Sequence, residues 1–171
     1  LRKIFLFPSL GTYLVILLLY TLKLLPPVPL SLEYMGIYHK IAKQGDKYEL
    51  TYERSAWKFW QNGAQTFPAE EGDRINSYFE LFAPKNFKDN VKVRWLLKDQ
   101  KRGWMPQDSI EISIVGGREG GFRGYATKSN YQPGDWQVRV ETLDGREIGH
   151  INFHVEKAET AELRQFRVDL R

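Results

Sequence analysis

His150 and His154 lie four residues apart where apolar and polar residues alternate, so both project from one face of an expected strand. At about 3.3 Å per residue they stand about 13 Å apart, too far to share one metal ion. His39 is remote in sequence, and neither cysteine nor an HExxH pattern accompanies the histidines. The glycine-dense passage GGREGGFRG, residues 116–124, invites comparison with a phosphate-binding loop. It lacks the terminal Gly-Lys-Ser/Thr of a P-loop and the strand-to-helix setting of a dinucleotide fingerprint. Glycines clustered between strands serve tight turns and close backbone crossings, which leaves Arg118 and Arg123 as candidates for an anionic contact.

Carboxylates are plentiful, but a general acid and base need environments that push their pKa values apart, and no pair is singled out by spacing. Asp73 in EEGDR, Asp135 in PGDW and Asp144 in LDGR sit in turn contexts, where aspartate caps the backbone. No Ser-His-Asp or Cys-His arrangement is indicated. The chain is therefore read as a non-enzyme, with no catalytic residue, metal or cofactor assigned. Aromatic residues are the stronger candidates. Trp57, Phe59 and Trp60, with Trp104, Tyr125, Tyr131 and Trp136 elsewhere, could stack on sugar rings if several share one exposed face. Trp95 and Trp136 fall on alternating apolar faces and are expected in the core. The candidate interaction surface comprises Trp57, Phe59, Trp60, Arg118, Arg123, Tyr125 and Phe166.

These residues need elements to hold them. Residues 4–22 carry no charge, and at about 1.5 Å per helical residue the run reaches close to 30 Å, roughly the hydrocarbon thickness of a bilayer. Pro8 either kinks that helix or occupies its first turn. Arg2 and Lys3 before the run, against Lys23 after it, favour a cytoplasmic N-terminus and a domain on the periplasmic side. A cleaved signal peptide is the competing reading, but no small-x-small site follows. Removing the three basic charges of the first thirty residues takes the formal charge from +4 to +1. A nearly neutral domain lacks the one-signed field that phosphate backbones require, so nucleic acid is discounted.

Residues 26–45 read as a Pro-rich connector followed by a short irregular or helical segment around 32–42. Residues 46–156 carry seven or eight short runs rich in Tyr, Val, Ile, Phe and Trp, spaced as in an immunoglobulin-like antiparallel β-sandwich. Phe67 and Pro68 are expected to open a loop, and Asp144-Gly145 to turn a β-hairpin between residues 135–142 and 148–155. In the tail, residues 157–171, Leu163, Phe166 and Leu170 fit a helical stripe, while Phe166, Val168 and Leu170 alternate equally well as a strand.

The passages PPVPLSLEYMGIYH, WKFW, EEGDRINSYF to LFAP, VGGREGGFRGYATKSNYQPGDWQVRVETLDGREIG and INFHV together resemble a bacterial membrane-protein family of unknown function. The resemblance spans roughly residues 26–155, and GGFRGY and QPGDWxVxVET are its most specific blocks. It implies a small extracytoplasmic β-domain following inner-membrane helices, and it brings no activity or catalytic residue. The expected function is a membrane-anchored interaction or accessory module, a structural subunit docked to the bilayer and to other membrane-complex subunits. The alternative is an envelope glycan-binding module using exposed aromatics; a hydrolase ranks last.

Overall fold

The computed structural model describes residues 2–21, 30–53, 65–83, 88–115, 121–158 and 165–171, with the side chains of 2–7 and 20 excepted. Helix α1 (Arg2–Thr21) contains Pro8 in its interior, not in its first turn, and the Thr12 hydroxyl donates to the Pro8 carbonyl at 2.9 Å. Its side chains from Leu10 to Leu18 are exposed. Among the described residues, no helix is long and apolar enough to cross a membrane; the expected span, residues 4–22, includes the side chains of 4–7 and 20 and residue 22, which lie outside that description.

Residues 31–44, expected as an irregular or helical piece, are instead extended as β1 (Ser31–Tyr38) and β2 (Lys40–Gln44). The physical reason is that β1 has no polar face to alternate with its apolar one. Met35 and Ile37 enter one core, while Tyr34 and Tyr38 enter another. Strand β3 (Lys47–Glu53) follows, then β4 (Thr66–Ala69), where a loop was expected at Phe67 and Pro68. Proline is tolerated there because β4 is an edge strand, paired only with β10 among the described strands. The remaining strands are β5 (Ile75–Phe82), β6 (Lys88–Asp99), β7 (Gly103–Val115), β8 (Phe122–Lys128), β9 (Gly134–Thr142), β10 (Glu147–Lys157) and β11 (Phe166–Leu170).

The result is a mostly antiparallel β-sandwich, as expected: among the described residues the segment expected to hold seven or eight strands has eight, β3–β10, and β1, β2 and β11 come from its flanks. One sheet has the order β1-β5-β8 and the facing sheet β4-β10-β9-β6-β7, with β4 and β10 parallel. Their inner faces enclose Ile37, Phe67, Phe79, Trp95, Trp136, Val138 and Phe153, so both tryptophans are core residues. The β9–β10 hairpin turns at Gly145, whose φ of 86° suits glycine, with the Gly145 amide donating to the Thr142 carbonyl at 3.0 Å.

A third, three-stranded sheet, β11-β3-β2, lies over the outer face of β1-β5-β8. It encloses a second core of Tyr34, Tyr38, Leu50, Tyr52 and Tyr78. The strand carrying β1 passes from the middle layer to this outer layer by bending at His39, whose amide donates to the Thr51 carbonyl at 2.8 Å. Sheet β11-β3-β2 begins the domain before residue 46 and ends it after 156, so both the connector and the tail supply strands to it.

Trp95 is fully buried between the two larger sheets, and its ring meets Phe153 edge-on at 6.4 Å. Trp95→Ala is expected to lower unfolding free energy by about 3–5 kcal/mol through lost burial and an unfilled cavity. Urea denaturation followed by far-UV circular dichroism checks this, and a loss below about 1 kcal/mol would place Trp95 outside the core.

Candidate interaction surface

The second core is built from tyrosines, and each hydroxyl needs a partner once buried. Gly36 lies between Tyr34 and Tyr38 on the same face of β1, and a Cβ there would stand 2.6 Å from the Tyr38 hydroxyl. The missing side chain lets the Tyr38 ring fold back, and its hydroxyl meets that of Tyr34 at 2.6 Å. Tyr78 donates to Glu80 Oε1 at 2.9 Å, and Tyr52 donates to Asp169 Oδ1 at 3.4 Å. The rings pack edge to face, with Tyr38 and Tyr52 centroids 5.8 Å apart.

Glu80 is the buried carboxylate of this cluster. It sits directly across from Arg123 in the β5–β8 pairing, and Arg123 Nε lies 3.8 Å from its Oε1. Arg171, following β11, approaches Oε2 at 3.7 Å while its guanidinium covers the Tyr34 ring at 3.7 Å. The Arg171 amide and carbonyl exchange hydrogen bonds with Tyr48 at 2.9 and 2.6 Å. A buried carboxylate between two arginines and a phenol is thus neutralised from both sheets, which ties the outer layer to the middle one. Nothing in the sequence spacing announced Glu80 or Arg171; five tyrosines at 34, 38, 48, 52 and 78 were the available signal.

The structure brings two expected surface residues together and separates a third. Arg123 and Tyr125 project from the same face of β8, where Arg123 also donates to the Asp46 carbonyl at 3.1 Å. Tyr125 is 50% exposed, with the Tyr48 ring 6.4 Å away. Phe166 lies at the opposite end of β11 from Arg171, its ring 5.4 Å from that of His39. Trp57, Phe59, Trp60 and Arg118 lie outside the described residues. The other aromatics considered for sugar stacking do not converge. Trp136 is buried, Tyr131 packs against Phe67 and donates to the Asp73 carbonyl at 2.9 Å, and Trp104 is on the far sheet beside Lys98.

His150 and His154 each have their own carboxylate, Glu147 at 2.6 Å and Asp135 at 2.7 Å. Asp135 was expected to cap a turn; its carboxylate instead accepts from His154, which together with Lys98 at 3.7 Å holds its pKa below the usual carboxylate value. Asp73 does cap its turn, accepting from the Glu70 amide at 3.0 Å. Asp144 divides its oxygens between the Thr142 hydroxyl and Arg146 Nε. His39 stacks on Phe67 at 4.0 Å, with Glu53 and Asp73 oxygens at 3.9 and 4.0 Å. Among the described residues, no group of three or more His, Asp or Glu side chains is arranged to hold a metal ion.

A family model described as a protein of unknown function (DUF2914) matches residues 88–155, from the start of β6 to β10. The match begins well after the residue 26 suggested by the sequence blocks and ends where the resemblance ended. Among curated protein sequences, none matches this chain. Similar solved structures include an immunoglobulin-like protein from Pseudomonas aeruginosa, 12% identical, covering 75% of this chain and 98% of its own, with a TM-score of 0.43. An alkylpurine DNA glycosylase from Pseudomonas fluorescens is 13% identical over 77% of this chain and 31% of its own, at a TM-score of 0.45. A beta-glucosidase from Listeria innocua is 9% identical over 66% of this chain and 16% of its own, at 0.34. The chain thus spans less than a third of the length of either enzyme.

Burial, reinforced by the hydrogen bond that Tyr38 donates to Tyr34, raises the Tyr38 pKa; burial and the bond to Glu80 raise that of Tyr78; burial raises that of Tyr34. Unfolded tyrosines ionise near pH 10, so above that value the unfolded state binds fewer protons than the folded one. The stability that these groups confer is whole below about pH 10 and is lost as pH rises beyond it. Melting temperature is therefore expected to fall steeply above about pH 10, with phenolate absorbance rising at the melt itself. Tyr78→Phe should make that alkaline slope shallower by up to about one proton. An unchanged slope would mean that Tyr78 ionises equally in both states.

Proposed function

We propose that the chain is a membrane-anchored interaction or accessory module, a structural subunit of a larger membrane complex, with its β-domain on the periplasmic side of a bacterial inner membrane. One observation carries this: the apolar side chains of α1 are turned outward, from 45% exposed at Leu17 to 63% at Tyr13. They belong to the uncharged sequence run of residues 4–22. Apolar area left in water costs roughly 25 cal/mol per Å², so a helical stretch bare on every side from Leu10 to Leu18 calls for lipid or neighbouring helices around it. The orientation rests on Arg2 and Lys3 as retained, cytoplasmic charges.

The domain supports binding in preference to chemistry. Its buried charges have partners, and two of them tie layers together: Glu80 with Arg171, and Lys128 with Asp108 between β8 and β7. The match to a domain of unknown function is compatible with an accessory role.

The anchor is tested on the full chain in membranes. Leu14→Arg with Leu17→Arg places two charges in the middle of the run, each costing roughly 2.5–3.5 kcal/mol at a bilayer centre. The variant is expected in the supernatant after alkaline carbonate extraction, with the parent chain in the pellet. The parent chain is expected to co-migrate with larger assemblies in mild detergent. Extraction of the parent chain would overturn the anchor, and migration alone at native abundance would overturn the subunit role.

A further inference from the structure

We propose that β11 is a self-pairing edge, joining two copies of this chain through an antiparallel β11–β11 contact centred on Val168. The proposal rests on reading the domain as an interaction module and names a second copy as its partner. Strand β11 pairs with β3 alone among the described strands. Because Arg171 exchanges both backbone hydrogen bonds with Tyr48, Asp169 and Arg167 also direct their N–H and C=O groups to β3. The N–H and C=O groups of Val168 and Leu170 therefore point away from the sheet, along its open edge.

The order of side chains makes this edge complementary to itself. In an antiparallel pair centred on Val168, Arg167 faces Asp169 of the second copy, and Asp169 faces its Arg167, so a two-fold axis creates two opposite-charge pairs. Phe166 and Leu170 face each other on the opposite side of the sheet, flanking the Val168 pair. Val168 is 50% exposed and Leu170 63%, so the apolar stripe lies uncovered beside this edge. The backbone parity agrees: the outward groups belong to Val168 itself, which places a reciprocal hydrogen-bonded pair on the axis.

Four of the five other edge strands among the described residues, all but β8, are guarded. Exposed Lys40 and Lys43 line β2, Pro68 interrupts β4 and Pro106 interrupts β7. Strand β1 carries exposed Glu33 at an irregularity between Leu32 and Tyr34. These are ordinary devices against edge-to-edge association, and β11 shows a self-complementary pattern in their place.

The full chain in mild detergent is expected to sediment as a dimer. Arg167→Asp sets like charges against each other at both symmetric positions and should weaken the dimer about tenfold or more. Asp169→Arg should do the same, and the double exchange Arg167→Asp with Asp169→Arg should restore association to within about threefold of the parent. Because Asp169 also accepts from Tyr52, a second measurement leaves the charges in place. The chain has no cysteine, so Val168→Cys introduces a unique thiol, about 5.5 Å between Cα atoms from its mate. A short bismaleimide should crosslink it into a dimer, while the equally exposed Val115→Cys should remain uncrosslinked. Identical masses for all charge variants, or crosslinking at 115 but not at 168, would overturn the proposal. A monomeric chain that still co-migrates with a larger assembly would overturn the pairing alone and leave the accessory-subunit reading intact.

Discussion

Strand β5 is buried on both faces, and the rest of the domain is arranged to make that possible. Ile75, Phe79 and Leu81 face the sheet β4-β10-β9-β6-β7, while Asn76, Tyr78 and Glu80 face the layer β11-β3-β2. A two-layer sandwich would leave the second set in water. Covering it means that every polar group on that side must find a partner, since a buried unsatisfied group costs about 1–3 kcal/mol. Asn76 donates to the His39 carbonyl at 2.9 Å and accepts from Thr127, and Tyr78 donates to Glu80. The bend at His39 follows from the same constraint, because one continuous stretch of chain supplies β1 to the middle layer and β2 to the outer one.

What was legible in the sequence were the segments whose two faces differ in polarity. Strand β9 alternates Trp136, Val138 and Val140 with polar residues, and its turn to β10 carries the Asp-Gly signal, so the hairpin was expected where it stands. β1 lacks that contrast. Its aliphatic and aromatic sides are both buried, and Leu32, Met35, Ile37 and Ile41 then look irregular or weakly helical. β4 was missed because Pro68 signals a loop, and only pairing to β10, over eighty residues later, makes four residues into a strand. The tail could be read as helix or strand because the deciding partner, β3, is more than a hundred residues earlier.

The candidate surface was legible only in its local part. Arg123 and Tyr125 share a face because they are two apart on a strand, which spacing alone predicts. Glu80 meeting Arg123 and Arg171 depends on β5, β8 and the end of β11 converging, three segments with no sequence periodicity in common. The carboxylate was hidden by its neighbours too: in SYFEL it resembles the polar position of a half-exposed strand, whereas only 9% of Glu80 is accessible.

The outer layer is consequently held by a different balance of forces from the main core. The side chains of β11 that face the tyrosines are Arg167 and Asp169, followed by Arg171, while Phe166, Val168 and Leu170 face outward. Its attachment therefore relies on backbone pairing with β3, on the Tyr52–Asp169 bond and on Arg171 against Glu80 and Tyr34, with little apolar burial of its own. Hydrogen bonds contribute about 0.5–1.5 kcal/mol net each, and ion pairs at part-exposed arginines less than fully buried ones. Removing Arg171 would leave Glu80 with Arg123 as its remaining cation among the described residues and uncover the Tyr34 ring, so this residue just past β11 matters more than its exposed position suggests. The polar side of β11 fastens it to the domain, and the apolar side is what it presents outward.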